Sequence, residues 1–243
     1  MTDILPLPFE WVEIPAGEVI LEEFGKYGIT PFAIAKYPVT NAQFQLFVNA
    51  ADGYCNSQWW SFSKGATELR GGDPDKKPID TKYPGDDLPR TTVSWYEAVA
   101  FCQWLSKRTG VQITLPTEQH WQRAAQGDDG RKYTWGNQAP GERLCNFDEF
   151  VGQVTPVTQY PDGASPFGVM DMSGNVWEWC LNDYFVPHNI DVSIDVGQSR
   201  RAVRGGCWNV NEKGVRVVTR YGGIPFVSYN DFGFRVCCVS VPG

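Results

Sequence analysis

Gly174-Asn175-Val176-Trp177-Glu178-Trp179 is followed by Arg201-Ala202-Val203-Arg204-Gly205-Gly206-Cys207-Trp208, and then by Gly233-Phe234-Arg235-Val236. The phrases read as brief strands among turns. Strands are expected at Val176–Trp179, Ala202–Arg204, Val215–Val218 and Phe234–Cys238. Upstream, short strands and turns are expected over 11–36, and a long surface excursion with an aromatic island at Trp59, Trp60 and Phe62 over 52–90. Three helices are legible. Thr40 with Gln43, and Ser94 with Glu97, have the spacing of capping boxes, in which side chains satisfy the first free N–H groups. The helix from Ser94 to about Arg108 has a buried stripe of Ala98, Phe101, Cys102 and Leu105, with Gly110 at its stop. A shorter helix opens after Thr117 with Trp121, Ala124 and Ala125 inward.

The chain has 243 residues, with ten Trp, ten Tyr and fourteen Phe to build a core. Without a repeat or a Pro/Ser-rich linker, residues 1–243 read as one α+β domain low in regular structure. A net charge of −7 argues against nucleic acid or an anionic membrane as partner. No apolar run approaches the roughly 18 residues of a membrane span, and Met1–Pro8 lacks the basic start of a signal peptide. Seven cysteines without a CxxC pair read as buried thiols, so the cytoplasm is expected.

Seven segments, taken in order, resemble the formylglycine-generating-enzyme family: YPVTNAQFQLF (37–47), LPRTTVSWYEAVAFCQWL (88–105), LPTEQHWQRAAQG (115–127), YTWGN (133–137), GVMDMSGNVWEW (168–179), RAVRGGCW (201–208) and GFRV (233–236). The resemblance implies a C-type lectin fold. In such a fold most of the tryptophans, Trp177, Trp179 and Trp208 among them, are core that holds polar loops in place.

The family's oxidases hold copper with two thiolates, a soft-ligand choice suited to Cu(I). The matching positions here are Val210 and Val215, which cannot ligate a metal, and Cys207 lies off both. Cys207 is expected as a small buried thiol. Other relatives use iron on three histidines, and this chain has two, His120 and His188. No catalytic residue is therefore assigned, no catalytic cofactor is expected, and the chain is read as a non-enzyme. An oxidoreductase acting through unrecognised residues is the alternative. The resemblance also implies a structural calcium ion, held by the Asp171 side chain, the Gly174 and Val176 carbonyls and the Glu178 carboxylate, with Asn146 and the Phe147 carbonyl as a second group. Calcium takes six to eight such oxygens.

The chain also resembles the variable proteins of diversity-generating retroelements. In these, reverse transcription with errors at adenines diversifies a stretch between the RGG-x-W phrase and GFRV, close to the end of the chain. That implies a variable region at about 205–236, a gene diversified by a reverse transcriptase, and a ligand-binding function with a protein or peptide as the favoured ligand. An AAC codon altered at its first two bases cannot become Lys, Glu, Gln, Met or Trp, and residues 221–232 contain none of these. The ligand-contacting residues expected are Asn209, Asn211, Gly214, Thr219, Tyr221, Gly222, Phe226, Ser228, Tyr229, Asn230 and Asp231. This mixture of Tyr, Ser, Gly and Asn is also the composition of antibody loops, where rigid aromatics supply area and small polar groups adapt.

Overall fold

A computed structural model of the chain describes residues 4–193 and 200–238. In chain order the elements are β1 (Trp11–Ile14), β2 (Gly17–Leu21), β3 (Gly25–Ile29), β4 (Phe32–Ala35), α1 (Asn41–Asn49), α2 (Lys64–Arg70), α3 (Trp95–Thr109), β5 (Ile113–Thr114) and α4 (Glu118–Gln126). Then follow β6 (Trp177–Asp183), β7 (Arg201–Arg204), β8 (Arg220–Gly223), β9 (Phe232–Gly233) and β10 (Cys237–Cys238). One sheet runs β1-β4-β10-β5, so the last strand pairs with an early one; the second runs β8-β7-β6-β9, and β2 and β3 form a separate hairpin. In the second sheet β9 lies parallel to β6, with Trp177 opposite Phe232, while β7 is antiparallel to both β6 and β8.

The capping residues set the helices as the sequence predicts. Thr40 and Ser94 each accept from the third backbone N–H and are answered by Gln43 and Glu97. Gly110 ends α3 in the left-handed region at φ 74°, which glycine adopts without a Cβ penalty. The core between α1, α3 and the chain end is aromatic: Phe44 stacks on Phe101 at 5.7 Å, and Phe101 meets Phe234 edge-on at 5.4 Å.

Two expectations are corrected. Val215–Val218 is not a strand but a series of turns, and the strand begins at Arg220. Val215 and Val217 alternate as a strand would, yet Val215 packs with Tyr133 and Phe147, while Val217 packs with Trp121 and Met172. Phe234–Cys238 is strand only at Cys237–Cys238. Ahead of that strand, the Phe234 and Val236 carbonyls accept single bonds from the Val39 and Ala35 N–H groups. The excursion over 52–90 also contains a helix, α2, opened by the Ser63 cap.

Candidate functional site

Three arginines fix the C-terminal segment to the frame. Each sits within or beside a short apolar phrase, where its charge must be paired. Arg204 ends β7, Arg220 opens β8, and Arg235 lies between Phe234 and Val236. Arg235 Nε and Nη2 donate to the two Glu178 oxygens at 2.6 Å each. Its remaining N–H groups reach the Ala35, Lys36 and Met170 carbonyls at 2.8–3.1 Å, so all five donors are used. Trp121 Nε1 donates to the same carboxylate at 2.8 Å. Glu118, at the start of α4, accepts from Arg204 at 3.0 Å and from Arg220 at 2.5 and 2.7 Å. Both carboxylates are fully buried, as are Arg204 and Arg235. From the sequence Glu178 was expected at calcium and Trp121 in the core, and the pairing of the three arginines with Glu118 and Glu178 was not singled out. The signal that could have found them is a charge flanked by large apolar neighbours, as Glu178 is by Trp177 and Trp179.

Between the clamps, main-chain bonds hold the segment in place. Asp148 N–H donates to the Val210 carbonyl, Glu149 to Trp208, Trp95 to Pro225, Thr92 to Tyr229 and Trp177 to Asp231, all at 2.8–3.0 Å. Trp208 N–H returns one to Asn175. At Gly206, with φ 76°, a Cβ would fall 2.6 Å from the Gly214 carbonyl oxygen, so the glycine admits a close turn.

The eleven residues expected at a ligand do not all reach one surface. Tyr221 and Phe226 are 50% and 56% exposed, and Asn209 and Asn230 are exposed. Tyr221 leans on Trp177 with ring centroids 5.8 Å apart. Tyr229 is half-buried, its ring 4.4 Å from Phe232 and 6.4 Å from Trp179. Asp231 is half-buried beside Cys207. Asn211 is exposed, but its Oδ1 caps its own turn, accepting from Lys213 and Gly214, and Thr219 closes it by donating to the Lys213 carbonyl at 2.7 Å. Gly214 packs under Val210. Gly222 is buried, and a Cβ there would meet Tyr184 and Arg200 at 2.9 Å. Ser228 donates to Glu97 at 3.4 Å. The displayed set is therefore Asn209, Tyr221, Phe226, Asn230 and the edges of Tyr229 and Asp231.

The calcium set does not fit. Glu178 is saturated by Arg235 and Trp121. The Gly174 carbonyl accepts from Val176, and Asp171 accepts from the Asn175 amide at 2.8 Å. Burial pushes the Asp171 carboxyl up to about 7 against the opposing pull of Asn175 and Arg235. Of the second group, Asn146 Oδ1 is buried without a partner, but one oxygen falls far short of six. Among the described residues no three His, Cys, Asp or Glu side chains cluster for a metal.

Cys207 is buried, and desolvation raises its thiol well above the ordinary value, which keeps it protonated and unreactive. His120 packs on Phe32 at 4.6 Å and contacts Thr117 Oγ1 through Nδ1; burial lowers it to about 4. Both are scaffold.

A fold low in regular structure, with its last strand paired to an early one and its arginines sealed onto GNVWEW and α4, defines a C-type lectin-like protein of the formylglycine-generating-enzyme type. The chain belongs to the sulfatase-modifying factor enzyme 1-like domain family, which matches residues 9–239. It is similar to hercynine oxygenase of Mycobacterium tuberculosis, 31% identical over 211 residues, 75% of this chain and 46% of that protein. The chain thus spans about half the length of that relative. It is also similar to the inactive C-alpha-formylglycine-generating enzyme 2 of Bos taurus, 30% identical over 256 residues, covering 88% and 79% of the two chains. Among solved structures, PvdO from Pseudomonas aeruginosa superposes with a TM-score of 0.71 at 22% identity, covering 94% and 93%. Treponema denticola variable protein 1 does so with a TM-score of 0.67 at 18% identity, covering 96% and 95%.

The reading of the chain as a non-enzyme is corrected by the first of these: an oxygenase stands among its relatives at 31% identity. Valine at 210 and 215 removes one thiolate pair and does not by itself make a chain inert. No helix among the described residues is long and apolar enough to cross a membrane.

Proposed function

We propose that residues 209–231 form a face that recognises a protein or peptide ligand, and that a reverse-transcriptase system diversifies the gene segment encoding it. The observation that carries this reading is the separation of anchor from display. Arginine clamps and main-chain bonds hold the segment at its beginning, middle and end. The side chains of Asn209, Tyr221, Phe226 and Asn230 take no part in those clamps and are exposed, although Asn209 touches Cys207 and Tyr221 leans on Trp177. A rigid scaffold with exposed aromatics amid small polar groups is suited to recognition, since few side chains must be ordered on binding. The fold shared with a variable protein supports the reading. Unpaired cysteines support a reducing compartment, read as the cytoplasm.

Sequencing the DNA that flanks the gene tests the diversification. A non-coding near-copy of codons 205–236 that differs at adenines, next to a reverse-transcriptase gene, is expected; without such a copy this part of the reading fails. Replacing Tyr221 and Phe226 by Ser together with Asn230→Ala tests the face. Ligand binding should be lost while the melting temperature moves by no more than a few degrees, as for exposed positions generally. The similarity to hercynine oxygenase favours a second reading, an oxidoreductase acting through residues not assigned above. Oxygen consumption in the presence of a cysteine-containing peptide and added copper or iron would establish it.

A further inference from the structure

Among the described residues, Asp231 is in no ion pair, although it lies half-buried on the recognition face. Its immediate neighbours are neutral. Cys207 Sγ lies 3.6 Å from Asp231 Oδ2 and 3.1 Å from Asn209 Oδ1. One thiol hydrogen, a weak donor, thus faces two oxygens and can serve only one at a time. The Asn209 amide is a further donor to the carboxylate, and both side-chain donors are uncharged. Burial raises the Asp231 carboxyl above its ordinary value, opposed by the Cys207 thiol and the Asn209 amide, as expected of a carboxylate without a counter-charge.

Aromatic residues neighbour Asp231 in the fold: Phe232 follows it and pairs with Trp177 across the strands. The Asp231 carbonyl accepts from Trp177 N–H, the Trp177 ring lies 5.8 Å from that of Tyr221, and Tyr221 is half exposed. Tyr229 packs on Phe232. A carboxylate beside accessible aromatic faces attracts an organic cation twice, through a charge-assisted hydrogen bond and through the ring quadrupole. It repels phosphate and carboxylate groups, and the chain's net charge of −7 adds to both effects at long range.

We propose that the recognition face takes an arginine or lysine side chain of its protein ligand, with Asp231 as the counter-charge and Tyr221, backed by Trp177, as the aromatic wall. This rests on the recognition-face reading above. The guanidinium or ammonium supplies the positive charge that the uncharged donors beside Asp231 do not.

The test selects binders from a displayed library of random peptides against the full chain. The peptides are then measured on Asp231→Asn and on the Tyr221→Ser, Phe226→Ser, Asn230→Ala variant. Selected peptides should share an Arg or Lys and lose about tenfold or more in affinity for Asp231→Asn, the scale of a charged hydrogen bond. Replacing that Arg by citrulline, or that Lys by norleucine, in the peptide should cost a similar factor, and this readout needs no altered protein. Peptides that lack a shared cation, or that tolerate the neutral replacement, while still depending on the triple variant's positions, overturn the cation site and leave the face standing. Peptides that bind the triple variant as well as the parent chain, or the absence of any enrichment, overturn both.

Discussion

Glu178→Gln removes one negative charge and almost no volume, and isolates the contribution of the buried clamp at Arg235. In the native chain the Arg235 guanidinium has no solvent exposure and two 2.6 Å bonds to Glu178. The amide can accept only one of them, and it would turn its NH₂ towards the other guanidinium donor. A buried pair that loses one partner costs about 3–5 kcal/mol, because the surviving charge stays out of water uncompensated. A domain's whole stability is about 5–15 kcal/mol. At about 2–4 °C per kcal/mol for a chain of this size, the melting temperature should fall by roughly 10 °C. Urea unfolding followed by tryptophan fluorescence gives the free energy directly. The double variant Glu178→Gln, Arg235→Met should lose less than the sum of its two single variants, since it no longer buries an orphan charge. A Glu178→Gln loss under about 1 kcal/mol, or strict additivity in the double variant, would refute the assignment of the clamp as an anchor.

Acid should unfold the chain partly through His120. Its folded pKa, lowered by burial to about 4, lies below the unfolded value of 6.5, so the unfolded chain takes up the proton first. The stability it contributes is complete above pH 6.5 and is lost as pH falls towards 4, at most about 3 kcal/mol. His120→Phe should flatten that limb of the stability profile; parallel profiles would contradict it. Thiol titration offers a second check. Cys55 is partly exposed and the other six cysteines are buried, so a thiol reagent should modify one site quickly in the native chain and the rest only on unfolding. Rapid reaction of two or more would show the burial to be wrong.

The local devices were legible because they are local: a Thr or Ser, two residues, then Gln or Glu dictates a helix start whatever lies around it. The pairing of Glu118 with Arg220 was not, since 102 residues separate them and nothing in either phrase names its partner. The misread strand at Val215–Val218 shows how alternation misleads when successive valines enter different cores. Within 209–231 the chain is largely irregular, so no period says which aromatic faces inward. Tyr229 therefore read like Tyr221 although it rests on Phe232, and Gly222 read as a displayed position although Tyr184 and Arg200 fill its side-chain space.

The direction of the anchoring bonds has a consequence of its own. Val210, Trp208, Pro225, Tyr229 and Asp231 each offer the frame a carbonyl, and the frame supplies the N–H. Every amino acid has that carbonyl, proline included, and Pro225 already serves in this way. The face is thus a set of addresses rather than a set of residues. Chains that differ only at 209, 221, 226 and 230 should keep the same anchoring and differ little in melting temperature and yield. Any enrichment among such siblings would then report affinity alone.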